Sequence, residues 1–168
     1  YLPAIWRYDG RFFQGLGAFG KRSLLSSNQH FLIFSGLYGL LTPLEPIQCY
    51  SVPISRGDIV QTEWINEKFL SKVLVNYVKT HSIKKLFDFT GVEHYRDLID
   101  WEFIKTEINS DEREVEVLHS FSTLGAGDNA LRSFGEIISD HLSLYSEEEL
   151  LQILPESQIG SVYFRAIN

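Results

Sequence analysis

Three stretches of this 168-residue chain bring together residue types that bind or react with small molecules. The first is Ser35-Gly36-Leu37-Tyr38-Gly39, which leaves an apolar run and continues to Tyr50. Gly36 and Gly39 permit close backbone approach. Tyr38 offers a ring that can stack on a base and a hydroxyl that can donate to it. The second stretch is Asp88-Phe89-Thr90-Gly91 with Glu93-His94-Tyr95, where a strand turns into a helix. Ligands of α/β sheets sit beyond the carboxyl ends of strands, so Thr90 and Tyr95 can line a cleft and Glu93 or His94 can act as acid or base. The competing reading is a solvated helix start, where glutamate is favoured. The third is Thr123-Leu-Gly125-Ala-Gly127-Asp128. Its glycines leave backbone N–H groups free to hold an anion, and Asp128 can serve as a base beside it. The competing reading is a tight turn capped by Asp128. The three stretches together predict a nucleotide-sized pocket. Against it stands the simpler expectation that Tyr38 and Tyr50 pack the loop down.

Other chemistries fit less well. Gly15-Leu-Gly-Ala-Phe-Gly20 matches G-x-G-x-x-G, but no convincing strand precedes it and no acid closes the next strand, so it reads as coincidence. His81, His119 and His141 are scattered without metal-ligand spacing. No nucleophile elbow, zinc signature or P-loop is present, and neither a metal nor a cofactor is expected. The single cysteine, Cys49, forms no internal disulfide and reads as a small buried hydrophobe in a reducing compartment. A net charge of −7 opposes a broad grip on phosphate backbones. No apolar run reaches the roughly 20 residues of a membrane span, so no membrane partner is expected and the location reads as cytoplasmic.

The elements that must position these residues follow from periodicity. The pattern predicts a short lead-in over 1–9, a helix over 10–27, a buried strand over 30–35 and a long ordered loop over 36–58. Ile65, Phe69, Val73 and Tyr77, at four-residue steps, predict a continuous amphipathic helix over 59–80. A strand over 85–90, a short helix over 92–99, a strand over 114–121 and a helix from about 129 follow. Ser146-Glu-Glu-Glu149 is a capping box opening a short helix that ends at Pro155, and 161–167 is a last strand. Strands alternating with helices predict a mixed α/β fold, a mixed sheet with helices packed on it, in one domain over 1–168. The chain contains no methionine. It reads as a piece of a longer chain or one lacking an N-terminal strand, so its partners include other domains of the same chain.

Ser35-Gly-Leu-Tyr-Gly-Leu-Leu-Thr-Pro43-Leu44 with Gln48-Cys49-Tyr50 resembles the signature of the bacterial peroxide-stress protein YaaA family. Arg7-Tyr8-Asp9-Gly10 and Phe13-Gln14-Gly15-Leu16 resemble its upstream segment, and Trp64, then Asp88 to Tyr95, resemble its later steps. The resemblance implies a mixed α/β fold, an intracellular location and a link to oxidative stress and DNA protection, with Arg7 and Tyr8 joining the ligand-binding set. It also implies DNA binding through basic residues. This chain departs there: Leu124 to Asp128 stands where the family carries a basic run. Three readings stay open. One is a stress-associated domain binding nucleic acid or a nucleotide in a cleft made positive by Arg7, Arg11, Lys21, Arg22 and Arg56. Another is an enzyme of nucleotide or nucleoside chemistry, cleaving glycosidic bonds with Asp128 or Glu93. The last is a non-catalytic interaction module.

Overall fold

The computed structural model describes residues 1–51, 55, 57–109, 115–125 and 127–166. Arg56, Glu114, Ala126 and Ile167, which figure in the expectations above, lie outside the described residues. The element order is β1 (Leu2–Pro3), α1 (Ala4–Arg7), α2 (Arg11–Ser26), β2 (Ile33–Ser35), β3 (Gly39–Leu41) and β4 (Pro46–Ile47). It continues with α3 (Ile59–Ile65), α4 (Phe69–Thr80), β5 (Lys85–Asp88), α5 (Glu93–Arg96), α6 (Trp101–Asn109) and β6 (Glu116–Ser122). The last elements are α7 (Asp128–Asp140), α8 (Glu147–Leu151), β7 (Gln158–Ile159) and β8 (Val162–Ala166).

The fold is mixed α/β. The largest sheet has the order β5-β6-β8-β7, with β5 and β6 parallel and the other pairs antiparallel. Two small antiparallel pairs, β1–β4 and β2–β3, complete the strands. Side chains alternate across strands, so successive residues feed different cores. Phe31, Ile33, Phe87, Phe89, Leu118 and Phe164 meet α2 and α7, around Leu16 and Phe134. Leu32, Phe34, Leu40 and Leu86 meet α4 and α6, around Leu74, Val78 and Ile104. Residues 31–34 and β5 thus lie between two helical layers.

The glycines of the G-x-G-x-x-G match lie inside α2, and the outer two serve packing. A Cβ on Gly15 would collide with the Arg132 carbonyl of α7, and one on Gly20 would lie 2.8 Å from Ser139 Cβ. Gly135 of α7 reciprocates against the Phe12 carbonyl. Gly17, between them, has φ +61° and ψ −179°, a conformation open to glycine alone, and bends α2 there.

Four expectations need correction. The supposed loop over 36–58 contains β3 and β4, because Leu40 and Leu41 pair back onto β2. The helix over 59–80 is broken at Asn66–Lys68, where Glu67 and Lys68 take φ +50° and +56°. Tertiary contacts overrule the periodicity there: Lys68 Nζ lies 2.7 Å from Asp100 and 4.9 Å from the Phe103 ring. Cys49 is exposed rather than buried. Asp128 is not a cap: Gly127 occupies that position and Asp128 is the first helical residue. The Ser146 capping box forms as its spacing predicts.

Candidate functional site

Two polar clusters sit at the carboxyl ends of β2 and β5. At β2, the buried Ser35 Oγ accepts from the Tyr38 N–H at 2.9 Å and lies 2.6 Å from the Tyr50 hydroxyl. The Tyr50 hydroxyl lies 2.5 Å from that of Tyr8. Three hydroxyls therefore form one relay from α1 to β2. Burial pushes the Tyr8 phenol well above its ordinary range, and the bond to Tyr50 adds to this while Ser35 acts the other way. Tyr8 stays protonated and available as a donor. The loop is pinned from behind, where the Trp64 indole N–H donates to the Gly36 carbonyl at 2.9 Å. Gly39, with φ +75°, makes the hairpin turn so close to Trp64 that a Cβ would lie 3.1 Å from the indole.

At β5, Asp88 ends the strand with a side chain only 1% exposed. It accepts from Thr90 N–H at 2.9 Å, Thr90 Oγ1 at 2.7 Å and Arg96 Nε at 2.8 Å. His119 Nδ1, on the neighbouring β6, lies 2.5 Å away. Burial alone would raise this carboxyl. The hydrogen bond to His119 and the Arg96 charge outweigh it and hold Asp88 below the usual carboxylate value. Arg96 also donates to the Ser120 carbonyl at 3.2 Å and lies 5.0 Å from the centre of the Phe121 ring. Trp101 Nε1 donates to the Arg96 carbonyl, and its ring meets His119 edge-on at 4.8 Å.

Both clusters open on one cavity of about 1310 Å³. Tyr8, Gly36, Tyr50, Asp88, Thr90 and Tyr95 line it. Two of the three predicted stretches therefore converge. Ser35 supports the wall through Tyr50. Tyr38 packs edge-on against Tyr50 at 5.5 Å and accepts from Gln48 N–H, so it holds the loop down as the simpler reading had it. The remaining candidates lie elsewhere. Gly39 is turned against Trp64. Glu93 is exposed, and His94 meets Gln61 through its carbonyl. Asp128 pairs with Arg11 at 3.3 Å, both largely exposed, and the Gly125 and Gly127 turn is out in solvent with it. The third stretch thus stays outside the cavity.

The expected basic lining is also absent among the described residues. Arg7, Arg11, Lys21 and Arg22 do not line the cavity, and its two lysines are engaged. Lys84 pairs with Glu147 at 3.4 Å and Lys85 with Glu116 at 2.7 Å. Lys21 Nζ turns inward to the Tyr8 carbonyl at 3.3 Å, and burial lowers its ammonium's affinity for the proton. Arg7 Nε is buried without a hydrogen-bond partner among the described residues. Among the described residues no group of three His, Cys, Asp or Glu could hold a metal ion, and no helix is long and apolar enough to cross a membrane.

Sequence reading missed Arg96, Trp101 and His119. One signal was available for His119: strand parity puts it opposite Asp88 in a parallel pair.

Comparisons with known proteins agree on the family. The family model described as peroxide stress protein YaaA matches residues 1–110. A UPF0246 protein of Magnetococcus marinus is 29% identical over 55% of this chain, and one of Psychrobacter cryohalolentis 29% identical over 56%. One of Francisella philomiragia is 31% identical over 44%. The chain spans 38% of the length of the first two and 35% of the third. No solved structure matches it.

Proposed function

This chain belongs to the peroxide stress protein YaaA family, and we propose that it binds a nucleotide, free or exposed in a nucleic acid, at the carboxyl ends of β2 and β5. The observation that carries the reading is the convergence of the Tyr8–Tyr50–Ser35 relay and the Asp88–Thr90 turn on one cavity. Tyr8, Tyr50 and Tyr95 supply rings for a base face, and Tyr8, at the end of the relay, a hydroxyl for its edge. Thr90 Oγ1, whose proton goes to Asp88, is suited to accept from a sugar hydroxyl. Asp88 is spent on its own neighbours and acts by fixing Thr90 and Arg96.

The paired lysines and the charge of −7 favour contact through base and sugar over a grip on many phosphates. Binding should therefore depend weakly on salt. A thermal-shift screen of the protein with AMP, GMP, adenosine and a short single-stranded DNA tests this. A ligand at about 100 times its dissociation constant adds about 2.7 kcal/mol of stability. The reading expects a shift with a mononucleotide that Thr90→Ala weakens and that survives added salt. A shift with DNA alone, erased by salt, would replace it with backbone binding.

A further inference from the structure

The cavity has a second property that a nucleotide does not use: it separates two strand edges. Both strands run the same way. The chain leads into each from near the carboxyl end of α4, where His30 Nδ1 lies 2.9 Å from the Tyr77 hydroxyl and Ile83 N–H donates to the Val78 carbonyl. Each ends near α3, where Trp64 donates to Gly36 and Gln61 to the His94 carbonyl. Among the described residues β2 pairs only with β3, and β5 pairs only with β6 at the edge of its sheet.

The ladder shows where the free groups point. Glu116 N–H donates to the Lys84 carbonyl, so Lys84, Leu86 and Asp88 direct their backbone groups to β6. Lys85 and Phe87 direct theirs the other way, into the cavity they line. The facing wall is Gln29 to Phe34. Leu24, Phe12, Phe13, Leu131 and Ile138 close one face, and Leu74, Tyr77 and Val78 the other. An exposed edge on an apolar, doubly covered strand is a liability that folds normally remove by pairing. β5 shows the deficit: Lys85, Leu86 and Phe87 are only half-buried between two helical layers.

We propose that this cavity is the slot of a missing parallel β-strand, supplied by a part of the full-length protein outside these 168 residues. With it, β3-β2-strand-β5-β6-β8-β7 becomes one sheet. The occupant needs three or four residues in strand form to match Ile33–Ser35 and Lys85–Asp88. It must be apolar on both faces, because helices cover both. A β-strand fits better than a second copy of this chain, because the relatives have room to supply one: the matched chain spans 38% of their length. The strand would end between Ser35 and Asp88, adding its last residues to the ligand site. The inference rests on the strand edges and stands or falls apart from the nucleotide reading.

The test is made on the protein as its own gene encodes it. Hydrogen exchange is followed at the amides of Lys85 and Phe87. A photo-crosslinking phenylalanine analogue is then placed at Phe87 and, separately, at Leu32. The proposal expects both amides to exchange as slowly as that of Leu118. It also expects both probes to capture one apolar segment of the same polypeptide outside residues 1–168. Rapid exchange at Lys85 and Phe87 in the unsubstituted protein would overturn it. So would capture only within residues 1–168, or capture of a second copy.

Discussion

Replacing Gly135 with alanine should loosen the protein by separating α2 from α7. The added Cβ would collide with the Phe12 carbonyl and lie 2.5 Å from Leu16 N and 2.9 Å from the Gly15 carbonyl carbon. All three are backbone atoms of α2, so no side chain can swing aside and the helices must part by a sizeable fraction of an ångström. Overpacking of a tight core costs about 1–3 kcal/mol, and the upper end applies where backbone must move. Alanine returns about 1 kcal/mol of helix propensity. The net expectation is a loss of about 2 kcal/mol, or roughly 4–8 °C in Tm for a chain of this size. Urea unfolding of Gly135→Ala beside Glu136→Ala measures it. Glu136 is the next residue on α7, with an exposed side chain paired to Arg132, and its loss should stay within about 0.5 kcal/mol. Equal midpoints for Gly135→Ala and the parent would refute the close helix contact and the packing role given to these glycines.

Other expectations follow from the polar clusters. Asp88→Ala strands Arg96 Nε and His119 beside a buried gap and should cost about 3–5 kcal/mol, read from the urea midpoint. Asp88 titrates below its unfolded value, so its contribution is present above about pH 4 and is lost as pH falls through the folded value. Acid unfolding of Asp88→Asn should therefore lack that part of the slope. Tyr50→Phe removes the central hydroxyl of the relay and should cost about 1–2 kcal/mol; a neutral result would show that the three hydroxyls do not act together. His30 has its affinity for the proton lowered by burial and by His81. Stability should fall as pH drops below about 6.5, and His30→Gln should flatten that fall in pH-dependent melts.

Much of this architecture can be read from residue patterns, and the failures have physical causes. The capping box at Ser146 and the turn after Asp88 carry local signals that tertiary structure leaves intact, and of the strand expected over 30–35 the part Ile33–Ser35 forms. The helix α6 was missed although it carried a signal: Asp100 Oδ1 accepts from the Phe103 N–H, and Ile104 and Ile108 fall one turn apart on the buried side. The break at Glu67 and Lys68 carried none: positive φ in two charged residues follows no local pattern, and the contacts of Lys68 with Asp100 and Phe103 reach across elements. Tyr50 and Tyr8 could be singled out by type, but their mutual bond, which links positions 42 residues apart, could not. Asp128 misled because a glycine-rich helix start resembles an anion site wherever it lies. Only the fold turns it to solvent and ties it to Arg11.

The most direct test of the central claim is an NMR titration of the protein with AMP at two salt concentrations, read at Tyr8, Tyr50, Thr90 and Tyr95. Saturable shifts confined to those residues, with a dissociation constant little changed by salt, are predicted. Shifts centred instead on Gly125, Gly127 and Asp128, or none at the β2 and β5 ends at saturating nucleotide, would contradict it.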